Sequence, residues 1–92
     1  MPDAKHEAIR DLVRAREAAG DDLRRKRQQL LSFLLRHGRI YTAGRDHWTR
    51  AHRRWLACQS FEHAAQQIVF QESVDAIEDA AQRLHRIEEQ LV

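Results

Sequence analysis

The chain has one proline, Pro2, and three glycines, Gly20, Gly38 and Gly44. With so few helix breakers, most of its 92 residues are expected to be helical. A single cysteine, Cys58, excludes an internal disulfide and fits a reducing compartment. No apolar run approaches the ~20 residues of a membrane span. Met1-Pro2-Asp3-Ala4-Lys5 lacks the apolar core of a signal peptide. A soluble cytoplasmic protein with no membrane partner is the expectation. Large core residues are scarce as well, with two Trp, one Tyr and three Phe. One domain of this size sits near the lower limit for a self-sufficient core, so self-association, first of all as a dimer, is expected.

What the chain has is segregated charge. Ten of its sixteen Lys and Arg residues lie between Arg24 and Arg54, against one acid, Asp46. That window carries about +9, while residues 1–23 carry about −2 and residues 55–92 about −5. The net charge of +2 hides this basic centre. Aromatic and loop residues gather in the same window: Phe33, Tyr41 and Trp48, with Gly38 and Gly44. Such a patch points to a polyanion, nucleic acid above all.

Apolar residues recur at helical spacing on either side of that centre. Written as heptads, Ile9, Arg16, Leu23 and Leu30 take one seam position, and Leu12, Ala19, Lys26 and Phe33 the other. Gly20 interrupts this stripe and marks a bend. Gly38 is a suitable residue just past a helix end. Asp46 can cap a short helix whose apolar face is Trp48, Ala51, Trp55 and Cys58, with Arg50, Arg53 and Arg54 opposite. Ser60 can open the last helix, where Phe70, Ile77, Leu84 and Leu91 repeat every seven residues. The pattern predicts an all-α fold, a long antiparallel helical hairpin or coiled coil with a short basic helix at the connecting end. Its expected parts form one domain: a long helix over about 3–37, a loop at 38–46, a short helix over about 47–58 and a long helix over about 61–91.

Candidate nucleic-acid contacts follow from the charge map: Arg24, Arg25, Arg27, Arg36, Arg39, Arg45, Arg50, Arg53 and Arg54. The planar guanidinium fork suits phosphate better than a Lys ammonium does. Tyr41 and Trp48 are candidates for stacking on unpaired bases. The competing reading is a solvated face whose arginines pair with acids of the other arm. Trp55 reads as core, closing the hairpin with Phe33, Leu34 and Phe61.

Other chemistry finds little support. His47, His52, Cys58 and His63 are spaced too loosely for a structural zinc site, and no cofactor is expected. The acids Glu72, Asp75, Glu78 and Asp79 read as a solvated or charge-paired face rather than a magnesium site. Ser32, Ser60 and Ser73 lie outside any nucleophile context. No glycine loop cradles phosphate. The chain is not expected to catalyse a reaction alone.

Several blocks resemble a known protein family. They are Pro2-Asp3, the run from His6 to Glu17, Phe33-Leu34-Leu35-Arg36-His37-Gly38, Trp48-Thr49 with Ala51-His52-Arg53-Arg54-Trp55-Leu56, and Phe61-Glu62-His63. Together they resemble the middle of the bacterial insertion-sequence transposases that have a DEDD-type RuvC-like domain and a serine-containing C-terminal domain, the bridge-RNA-guided recombinases. The resemblance covers essentially the whole chain. It implies a helical connector between two catalytic domains, concerned with subunit association and nucleic-acid contact. Neither catalytic motif is present, so no acid or serine here inherits a catalytic role. The implied partners are a second copy, structured RNA or DNA, and the remainder of a transposase. Ala64 departs from relatives that often carry proline there, so the last helix is expected to begin earlier or less sharply.

Two alternatives stand beside the nucleic-acid reading. One is a purely structural oligomerisation module. The other is a truncated transposase remnant that inhibits the full-length enzyme by forming mixed dimers.

Overall fold

The computed structural model describes residues 3–42, 44 and 46–91. Three helices follow in order: α1 (Ala4–Arg36), α2 (Arg50–Ala57) and α3 (Ala64–Gln90), with no strand among the described residues. α1 and α3 pack on each other as the arms of the expected hairpin, and α2 closes one end. The molecule measures 60 × 28 × 17 Å. None of its helices, among the described residues, is long and apolar enough to cross a membrane.

Local chemistry sets the ends of α1. The Asp3 carboxylate accepts the Lys5 backbone N–H at 3.2 Å, satisfying one of the free donors of the first turn. At the other end Gly38 adopts φ +71°, a left-handed conformation that costs a residue with a Cβ roughly 1–2 kcal/mol. The Gly38 N–H then donates to the Leu35 carbonyl at 3.0 Å, and the Arg39 N–H to the Leu34 carbonyl at 2.9 Å. This paired arrangement is a Schellman stop, and it turns the chain out of α1 after His37.

The other two helices start later than the sequence suggests. Asp46 does not cap α2. Trp48 takes φ +69°, which no residue inside a right-handed helix can adopt. The helix therefore begins after it, with the Thr49 hydroxyl accepting the His52 N–H at 3.2 Å. Ser60 does not cap α3 either. Residue His63 stands at its N-cap without a side-chain bond, and the Gln67 amide oxygen reaches back to the Phe61 N–H at 3.0 Å. Ala64 is the first helical residue, the position that suits a proline. Its difference from the resembling sequences has not moved the boundary earlier.

The core runs along the inner seam. Leu23, Leu30 and Leu34 of α1 meet Phe70, Ile77 and Ala80 of α3, with Leu56 of α2 across the end. Phe33, Trp55 and Phe61 pack around them, as expected for the closed end, and so does Trp48, the stacking candidate. The two seam cations are accommodated at the edge. Arg16 meets Glu88 of the other arm at 3.6 Å, and Lys26 pairs with Asp22 one turn back.

Helix α1 continues through Gly20 without interruption, so no break occurs at the expected bend. A Cβ built there meets nothing within 4 Å. Gly20→Ala is therefore expected to stabilise the protein by about 0.5–1 kcal/mol through helix propensity. In a domain of this size that raises the thermal midpoint by roughly 2–8 °C, read by circular dichroism. A lowered midpoint would show that the arms need glycine for close approach.

Candidate nucleic-acid interface

Short helix α2 projects its cations outward because the opposite face is buried. His52 and Leu56 are sequestered and Trp55 is half-buried, whereas Arg50, Arg53 and Arg54 are exposed. The buried face is thus rotated from the expected one, since Ala51 and Cys58 are exposed. Arg36 is exposed at the end of α1, and Arg24 and Arg25 farther along the same helix. Arg45 lies outside the described residues.

Few of these charges are neutralised within the chain. Arg24 meets Asp21 at 3.2 Å, and both side chains are exposed. Lys26 holds Asp22, whose carboxyl is kept below its ordinary range chiefly by that hydrogen bond. The arms exchange an ion pair only at Arg16–Glu88 among the described residues, away from the basic centre. Arg25, Arg27, Arg36, Arg39, Arg50, Arg53 and Arg54 make no ion pair among them. The competing expectation, that the arginines are consumed by acids of the opposite arm, does not describe this end of the molecule.

Two expected contacts have other work. Tyr41 is only 8% exposed. Its ring packs edge-on against His47 and His52 and tilted against Trp55, with centroids 5.9, 4.9 and 5.5 Å away. It is a wall of the closed end and offers no free face to a base. Arg39 is half-buried, its guanidinium 4.1 Å from the Phe61 ring centroid and donating to the Gln59 amide oxygen at 3.0 Å. It fastens the first loop to the α2–α3 turn. Trp48 remains half-exposed, with the Arg27 guanidinium over its ring at 4.9 Å. Burial, and then the charge of Arg53, pull the Arg27 guanidinium down from its usual value, although Arg stays protonated in proteins.

His52 is the residue that the sequence reading missed. It is fully buried, in a box formed by Tyr41, His47, Trp48 and Trp55. Its Nδ1 accepts the Trp48 backbone N–H at 2.9 Å, which fixes the neutral ring with its proton on Nε2. Nε2 has no partner. The signal was present in the spacing, since Trp48, His52 and Trp55 are four and three residues apart, although Trp48 lies before the helix.

Burial, followed by the nearby His47, lowers the His52 pKa from its ordinary value. The unfolded chain therefore takes up a proton first as pH falls. Stability is complete above the unfolded value of about 6.5 and declines as pH drops from there toward the folded value. Protonation of Nδ1 also removes the acceptor that holds Trp48. The thermal midpoint is expected to fall between pH 7 and 5, and a flat midpoint over that range would count against a buried neutral His52.

Among the described residues, no group of three or more His, Cys, Asp or Glu side chains is placed to hold a metal ion. Cys58 is an exposed free thiol at the end of α2.

The sequence has counterparts among known proteins. A protein of Sinorhizobium fredii (strain NBRC 101917 / NGR234) assigned as transposase y4qE is 52% identical over 77 residues, which is 84% of this chain and 20% of that protein. The transposase for insertion sequence element IS1533 of Leptospira borgpetersenii is 36% identical over 70 residues, 76% of this chain and again 20% of the relative. The chain is thus related to a segment of transposases and spans about a fifth of the length of these relatives. No protein-family profile matches it, and no solved structure does.

Proposed function

We propose that this chain is a non-catalytic module of an insertion-sequence transposase, which joins subunits and holds nucleic acid at its closed end. The observation that carries the reading is the row of arginines around α2 without ion-pair partners among the described residues, in a chain related to transposases. Exposed guanidinium groups release counterions when they meet phosphate, so the contact is strong at low salt and indifferent to sequence. The proposal extends to the resemblance in the motif blocks. There the catalytic acids would come from a RuvC-like domain and the serine from a C-terminal domain, with structured guide RNA or donor and target DNA held between subunits. A gel-shift titration against structured RNA and duplex DNA at ~50 mM salt tests it. Shifted complexes are expected, and a folded protein that shifts neither nucleic acid sinks the reading.

A second reading, oligomerisation alone, has its own observation. Ile9 and Val13 are 48% and 38% exposed on α1, and Leu91 is 37% exposed at the end of α3. These apolar residues collect at the open end of the hairpin, where Arg16 already lies opposite Glu88. A second copy packed there would bury them and leave the basic end free.

A further inference from the structure

A groove of about 590 Å³ opens between α2 and the two arms, within the size range of small-ligand sites. Its apolar floor is the half-buried Val74 together with the edges of Leu30, Leu56, Phe70 and Ile77, which are otherwise buried in the core. Arg27, Arg53 and Trp48 line it as well. Arg27 stands out because its Nε is buried without a hydrogen-bond partner among the described residues. Its guanidinium lies over the Trp48 ring, and Arg53 is near enough for its charge to act on it. Two like charges beside a desolvated donor are unfavourable unless an anion joins them. Glu78 also lines the groove, yet pairs with neither arginine.

We infer that this groove takes one unstacked nucleotide, its phosphate held between Arg27 and Arg53 and its base laid on the apolar floor beside Trp48. The inference rests on the nucleic-acid reading and deepens it to a defined site. Charge selects the phosphate, because a guanidinium pair matches its oxygens in a fork. The floor selects an unpaired base, since only unstacked bases present a bare apolar face. Duplex would meet the exposed arginines of α2 but leave the floor empty. Glu78 opposes the phosphate and sets an upper limit on affinity.

The test compares a short single-stranded RNA with a duplex of the same sequence, by fluorescence anisotropy on the whole chain. The native protein is expected to prefer the single strand and to show a change in tryptophan emission on binding. Ala57→Trp introduces a bulky uncharged plug at an exposed lining position, and it should weaken single-strand binding about tenfold while leaving duplex binding within about twofold. Arg53→Gln, which also removes one of the exposed α2 cations, should weaken single-strand binding more than duplex binding and lower the single-strand salt slope by about one. Glu78→Gln should tighten single-strand binding. Equal losses for single strand and duplex in both Ala57→Trp and Arg53→Gln overturn the site while leaving general nucleic-acid binding intact. A shift in sedimentation in place of a shift in RNA affinity overturns it in favour of a second copy as the occupant. Native protein that binds neither RNA overturns the site and the broader reading together.

Discussion

Changing Arg50, Arg53 and Arg54 together to Glu is expected to weaken binding of structured RNA by about 10²-fold or more at ~100 mM salt. Three phosphate contacts would be replaced by three like charges, and the salt dependence would become shallower by about two to three in log–log slope. All three side chains are exposed on α2 and have no ion-pair partner among the described residues. The helical circular-dichroism signal should therefore be unchanged. The opposite pattern, a dimer that weakens while RNA affinity holds, would make the basic end a protein contact. Filter binding beside sedimentation separates the two.

Leu30→Ala carries the largest expected effect on stability. Leu30 is 1% exposed, in the seam with Phe70 and Ile77, and forms part of the groove floor. Truncation removes its burial and leaves a cavity, at about 3–5 kcal/mol. Small domains hold only about 5–15 kcal/mol in total, so the urea midpoint should fall sharply and a substantial unfolded fraction is expected at 37 °C. By contrast, Ile9→Ala, at a position 48% exposed, should change the stability of a lone hairpin by less than about 0.5 kcal/mol. A larger loss that grows with dilution would place Ile9 in a contact between copies. Near-equal effects of the two substitutions would contradict the seam described here.

The hairpin was legible in the sequence because its cause is periodic. Leu23, Leu30, Phe70 and Ile77 fall on the expected stripes and are buried, and Gly38 ends α1 as a left-handed residue should. The start of α2 was hidden because its cause is tertiary. Trp48 is held left-handed, with its N–H on the buried ring of His52, and no local propensity favours that for tryptophan. The start of α3 was hidden for a related reason, since a glutamine one turn into the helix serves a backbone N–H outside it. The charge map placed the exposed arginines of α2, but it could not separate free cations from engaged ones. Arg39 and Tyr41 look like contact residues by composition, yet ring packing consumes both. The groove was also illegible, because its sides come from three helices that meet only in the folded chain.

Sedimentation of the chain with and without a structured RNA at ~50 mM salt tests the central claim most directly, since it reports association and binding in one experiment. The expected result is a dimer alone and a heavier protein–RNA complex when RNA is added, lost as salt rises toward ~200 mM. A folded chain whose mass RNA leaves unchanged at ~50 mM salt would contradict the claim.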